Sequence, residues 1–119
     1  MGDLETIDLK ALALRYFQAF SLKDTNRLAD MLAANVWLED WENSASGKAE
    51  VLGVNQQIFD NVRQIVVSPG SLYQEDYVIT AMLVIWITDL DNNVDIIKVC
   101  DVIEFNYDGK ITSISAYKG

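Results

Sequence analysis

Two aspartates and a tyrosine carry the side-chain oxygens of this sequence best placed to move a proton. Asp101 lies within Val99-Cys100-Asp101-Val102-Ile103, a run that otherwise has the composition of a buried strand. A carboxylate in such surroundings must find a partner or keep its proton. Asp40 closes a second part-apolar segment, Val36-Trp37-Leu38-Glu39-Asp40, and Tyr16 falls on the apolar stripe of an N-terminal helix. The chain has no histidine. That excludes Ser-His and Cys-His catalysis and histidine-ligated zinc, and leaves Asp, Glu, Lys or Tyr as the general base.

Composition sets the frame for these residues. The 119 residues are enough for one core and one domain, spanning 1–119. Half are hydrophobic and 23% charged, the balance of an ordinary globular protein. The net charge of −9 argues against nucleic acid and against anionic membrane surfaces as partners. Cys100 is the one cysteine, so no intrachain disulfide forms, and inside an apolar strand it reads as a small core residue. With no signal-peptide pattern at the N-terminus, this fits a reducing compartment, the cytoplasm. The start Met1-Gly2-Asp3-Leu4-Glu5-Thr6 matches the loose myristoylation pattern, but its acidic neighbours make it a chance match. The longest apolar stretch, Tyr77 to Ile87, is too short for a bilayer, which takes about 20 residues.

The elements that must hold the three residues follow from hydrophobic spacing. Leu9, Leu12, Ala13, Tyr16, Phe17 and Phe20 predict an amphipathic helix over Ile7 to Ser21. Asp24 or Thr25 caps a short helix through Leu32, with Asn35 as its stop. Val36 to Asp40 is extended, and Asn43 to Gly47 is a polar loop. A third helix is predicted from Lys48 to Ile65, with Val51, Leu52, Ile58, Phe59, Val62 and Ile65 inward. Ser68-Pro69-Gly70 reads as a turn. Three strands complete the chain, Tyr73–Thr88, Val94–Asn106 and Lys110–Tyr117, joined by hairpins at Leu90-Asp91-Asn92-Asn93 and Asp108-Gly109. Helices first and a meander last predict an α+β fold, with the helices packed on one face of a curved antiparallel sheet.

Strand parity then orients the chemistry. Val99, Asp101, Ile103 and Phe105 share one face, and Lys98, Cys100, Val102 and Glu104 the other. Asp101 thus faces the helix-covered side, where Tyr16 also points. The strand Val78–Ile87 is apolar on both faces, so Met82, Val84 and Trp86 need a cover of their own. A second copy of the chain is the simplest cover, and a homodimer through the outer sheet face is expected.

This pattern resembles the nuclear transport factor 2-like superfamily, in the branch of ketosteroid isomerases and SnoaL-like polyketide cyclases. Arg15-Tyr16, Leu38-Glu39-Asp40 and Val99-Cys100-Asp101-Val102-Ile103-Glu104-Phe105 carry the likeness, together with Phe105-Asn106-Tyr107-Asp108-Gly109-Lys110-Ile111 near the end. The resemblance implies a cystatin-like cone in which the sheet encloses a pocket. It implies that Asp40 is a general base, and that Tyr16 and a protonated Asp101 donate hydrogen bonds to an enolate oxygen, as in ketosteroid isomerase. Phe20, Leu38, Phe59, Val99, Ile114 and Ala116 are the expected pocket walls around a small apolar ligand, with no cofactor and no metal required. The sequence departs from the isomerases at Trp41, where they carry proline. It departs again at Leu32 and Asn55, where one branch has supporting tyrosines, and Lys118 stands where an aromatic pocket residue is expected. These departures argue against steroid specificity.

Each residue also has a plain structural use. Tyr16 can be an amphipathic core residue, and Asp40 can brace the loop that follows it. Asp101 can pair with Lys98, Arg63 or Arg15 in a buried bridge. Trp37, Trp41 and Trp86 read as packing or dimer contacts, and Glu39 and Glu42 as solvated. Two functions therefore remain open: an isomerase, cyclase or lyase, and a non-catalytic ligand-binding or dimerising scaffold.

Overall fold

Asp8 opens the first helix, α1 (Leu9–Ser21), by accepting a hydrogen bond from the Ala11 N–H at 3.1 Å. The computed structural model describes residues 7–119, so the N-terminal Met-Gly pattern lies outside the described residues. Leu9, Ala13, Tyr16 and Phe17 form the buried stripe of α1 at the predicted spacing. Asp24 caps α2 (Thr25–Met31) through the Arg27 N–H. The chain then becomes extended at once. Strand β1 (Leu32–Glu39) starts three residues before the expected stop at Asn35. The expected polar loop contains a short strand, β2 (Ser44–Ser46), which pairs antiparallel with β1. Gly47, at φ 89°, precedes α3 (Lys48–Asp60), a backbone angle that favours glycine.

The third helix is shorter than its spacing predicts. It stops at Asp60, and Val62 opens a long strand, β3 (Val62–Glu75). Val62 and Ile65 continue the helical period from Ile58, but the β-branched cluster Val62, Ile65, Val66 and Val67 prefers a pleated surface. The Ser68-Pro69-Gly70 segment is no turn but part of β3, with the register shifting between Pro69 and Leu72. Strand β3 lies at the sheet edge, the one place where a strand proline is tolerated. The real reversal comes at Asp76-Tyr77, with Asp76 at φ 52°. It splits the expected single strand Tyr73–Thr88 into the end of β3 and β4 (Val78–Asp89). Strands β5 (Val94–Phe105) and β6 (Ile111–Lys118) lie within one residue of their predicted bounds.

The six strands form one curved, unclosed sheet in the order β2-β1-β6-β5-β4-β3. Strands β3 through β6 are an antiparallel meander, but β1 runs parallel to β6, so the sheet is mixed. The long excursion between β1 and β6 makes that pairing available, since a parallel neighbour needs a crossover rather than a hairpin. The fold class is α+β, with the helices on one face. Helix α1 packs chiefly on β3, and α3 on β1. Two side-chain ties fix the helices to the sheet. Ser21 Oγ accepts from the Val67 N–H at 2.8 Å, and Lys23 Nζ donates to the carbonyls of Phe59, Val62 and Arg63 where α3 gives way to β3.

The opposite sheet face is apolar and open. Register aligns Val66, Trp86 and Ile96 in one cross-strand row, and Met82, Cys100 and Tyr117 in another. Val66, Trp86, Ile96, Met82 and Tyr117 are all exposed. Among the described residues, no helix is long and apolar enough to cross a membrane.

Candidate active site

The core between helices and sheet is not completely filled. A cavity of about 190 Å³ opens on it, and Tyr16, Asp40 and Asp101 all line its wall. Three separate elements bring them there. Helix α1 turns Tyr16 inward, β1 ends immediately before Asp40, and β5 presents Asp101 on the face of Val99 and Ile103.

Register explains why space remains beside Asp101. Its cross-strand neighbours are Ala81 on β4 and Ala116 on β6. Two alanines flanking one aspartate leave the carboxyl standing in a gap that larger side chains would close. Asp101 is only 8% exposed, and no salt bridge reaches it among the described residues. Each of its three candidate cations is elsewhere. Lys98 lies on the opposite strand face, Arg63 donates to the Leu90 carbonyl, and Arg15 is exposed. Burial, and after it the negative charge of Asp40, push the Asp101 carboxyl up to about 7. Burial thus keeps the protonated form of Asp101 accessible at pH values where an ordinary carboxyl is fully ionised. Burial pushes the Tyr16 phenol well above its ordinary value, with the charges of Asp101 and Asp40 adding to the effect. Tyr16 is thus a proton-bearing donor throughout the working range.

Asp40 is held differently. Its Oδ1 accepts from the Glu42 N–H at 2.7 Å and the Asn43 N–H at 2.6 Å, closing a tight turn. Asn43 Nδ2 bridges both carboxylate oxygens, at 3.3 and 3.2 Å. Asp40 thus braces its loop, as the structural alternative holds, and also faces the cavity. Oδ2, with a single partner, retains lone pairs free to accept a proton.

The remaining walls are mostly apolar. Phe20, Leu38, Val99, Ile114 and Ala116 line the cavity. Phe59 does not. It stands behind Phe20, edge to face at 4.8 Å between ring centroids, and acts as that ring's support. Trp41 also lines the cavity, and Lys118 Nζ sits 5.9 Å from its ring centroid. Asn55 on α3 is a second lining residue that sequence reasoning missed. Its signal was available, since position 55 is four residues from both Val51 and Phe59 and shares their buried stripe. Ile85, Ile87 and Ile97 extend the apolar wall along β4 and β5. Among the described residues, no three of Asp, Glu and Cys gather as metal ligands would.

The same fold recurs in solved structures of low sequence identity. A protein assigned as a SnoaL-like polyketide cyclase from Shewanella denitrificans superposes with a TM-score of 0.85 at 11% identity, covering 93% of this chain and 90% of that one. An epoxide hydrolase from M. tuberculosis gives 0.81 at 14%, covering 92% and 80%. A protein of ketosteroid isomerase-like fold from Catenulispora acidiphila, in complex with trimethylamine, gives 0.82 at 15%, covering 89% and 83%. At such identities the likeness is one of fold. No curated protein matches the chain significantly by sequence. The SnoaL-like domain family matches residues 13–114, nearly the whole length, and the chain belongs to that family.

Proposed function

We propose that this protein is a cofactor-independent isomerase, cyclase or lyase that moves a proton next to the carbonyl of a small apolar molecule. The observation that carries this reading is Asp101. It is a buried, unpaired carboxyl that shares one cavity with Tyr16 and Asp40. In the proposed step, Asp40 Oδ2 takes a proton from the carbon beside the carbonyl. The electron pair moves onto the carbonyl oxygen, where the Tyr16 hydroxyl and protonated Asp101 donate hydrogen bonds to the enolate. Return of the proton to a different atom completes an isomerisation. Attack by the enolate carbon on a second carbonyl carbon turns that carbonyl into an alkoxide, and return of the proton from Asp40 to the alkoxide completes a cyclisation. These side chains suffice for the proton transfer without a metal or cofactor.

Cavity size narrows the substrate. A dry cavity of about 150 Å³ accommodates benzene, so about 190 Å³ encloses one ring or a compact pair of rings. A four-ring steroid exceeds this volume and would have to project out of the cavity. This supports the reading, drawn from Leu32 and Asn55, that steroids are not the substrate. We further propose that the protein works as a homodimer through the exposed rows Val66–Trp86–Ile96 and Met82–Cys100–Tyr117, and that it resides in the cytoplasm, where Cys100 stays reduced.

Asp40 supports a second reading. Its turn hydrogen bonds give it a full structural role, which favours a non-catalytic ligand-binding scaffold. Exchange of α-hydrogens in deuterated water decides between the two readings. With a panel of one- and two-ring cyclic ketones, the enzyme accelerates exchange for at least one member, and Asp40→Asn abolishes the effect. That variant keeps an oxygen to accept the turn N–H groups. No acceleration for any ketone, or equal acceleration by Asp40→Asn, overturns the catalytic reading.

A further inference from the structure

The polar inventory of the cavity contains one donor that the proposed reaction does not use. Asn55 lines the cavity, is 2% exposed, and its Nδ2 is the one buried side-chain polar atom without a hydrogen-bond partner among the described residues. It sits on the inner stripe of α3, between Val51 and Phe59, where packing alone calls for an apolar side chain. Burying an amide N–H without an acceptor is unfavourable, and such groups in folded proteins usually have a partner to find. The other amide at the cavity, Asn43, is already committed to both oxygens of Asp40.

From this geometry we propose that Asn55 is a substrate-recognition residue, whose Nδ2 donates to a second oxygen acceptor on the substrate, separate from the carbonyl held by Tyr16 and Asp101. This rests on the proton-transfer reading above and deepens it. The preferred substrate is then a one- or two-ring carbonyl compound carrying a further keto, ether or hydroxyl oxygen. Tyr16 and Asp101 come from α1 and β5, whereas Asn55 comes from α3, so the two recognition points belong to different elements. A ligand with oxygens at two separated positions engages both, and a pure hydrocarbon ring system leaves Asn55 unpaired. Nδ2 has almost no accessible surface as the side chain stands, so the amide turns toward the ligand oxygen as the bond forms.

A matched series of phenols tests this. Tetrahydronaphthol mimics an enolate on a hydrocarbon frame, and the isomeric chromanols differ from it by an ether oxygen in place of one ring methylene. Wild-type protein is expected to bind at least one chromanol roughly tenfold more tightly than the carbocycle. Asn55→Leu removes that preference, binds the carbocycle at least as well as wild type, and melts no lower than wild type without ligand. A chromanol preference that survives Asn55→Leu overturns the assignment, as does the absence of any preference in wild type. A fall of several degrees in the melting temperature of Asn55→Leu overturns it too, because the amide would then have a structural partner. If no phenol binds any variant, the oxyanion reading itself falls and takes this assignment with it. That pattern is distinct from phenol binding that ignores Asn55.

Discussion

Folding strengthens the hold of Asp101 on its proton, because burial disfavours the charged carboxylate. Its folded value of about 7 stands above the ordinary 3.8. Between those pH values the folded state binds more protons than the unfolded state, so stability falls as the pH rises through the window. The full loss is about 4 kcal/mol, reached above pH 7. Removing the titrating group removes the slope. Asp101→Asn is expected to gain on wild type steadily from pH 4 to pH 8 in urea unfolding, and parallel profiles would contradict the raised value. In catalysis the sign is the same. The donor is lost as Asp101 ionises, so proton-transfer activity declines above pH 7, and Tyr16→Phe costs about 10²- to 10³-fold in turnover at any pH. Much of this site was legible in the sequence, because strand parity placed Asp101 with Val99 and Ile103 and helix spacing placed Tyr16 with Ala13. Asn55 was legible only as a member of the buried stripe of α3, and Trp41 not at all. An asparagine in a helix and a tryptophan beside an acidic turn both have commoner structural uses, and only the packed arrangement shows what they face.

At the scale of elements, the cap of α2 and strand parity translated well, and helical period held for α1 but failed at the end of α3. Asp24 marks the start of α2 in the sequence as it does in the structure, whereas α1 begins at Leu9 behind its cap Asp8, two residues after the expected start at Ile7. The boundary between α3 and β3 was hidden because residues 58, 59, 62 and 65 satisfy a helical spacing while pairing as a strand from Val62 onward. What ends the helix there includes a contact from elsewhere in the chain. Lys23 Nζ gathers the carbonyls of Phe59, Val62 and Arg63, and no local pattern announces that contact. Lys23→Met is therefore expected to lower unfolding stability by about 2 kcal/mol while leaving phenol affinity within a factor of two or three. A larger effect on affinity than on stability would place Lys23 in the site instead. The alanines beside Asp101 make the converse case. Ala81→Leu on β4 puts its side chain into the gap next to the carboxyl, and should abolish phenol binding while the folded circular-dichroism spectrum is retained.

At the scale of the whole molecule, the sheet separates two tasks. Its inner face, covered by helices, encloses the cavity, and its outer face presents exposed aromatic and aliphatic rows. A β4 strand apolar on both sides announced that division in the sequence. The parallel pairing of β1 with β6 did not announce itself, because it joins segments more than seventy residues apart. Sedimentation equilibrium is expected to show a dimer, and Met82→Lys combined with Trp86→Lys a folded monomer. A wild-type monomer at high concentration would end the dimer proposal without touching the cavity. The account stands or falls on whether Tyr16 and Asp101 donate together to one oxyanion. Calorimetric titration of wild type, Tyr16→Phe and Asp101→Leu with substituted phenols at pH 6 measures this directly. The prediction is saturable binding to wild type that weakens at least tenfold in each variant. Phenols that do not bind, or that bind all three proteins alike, would contradict it.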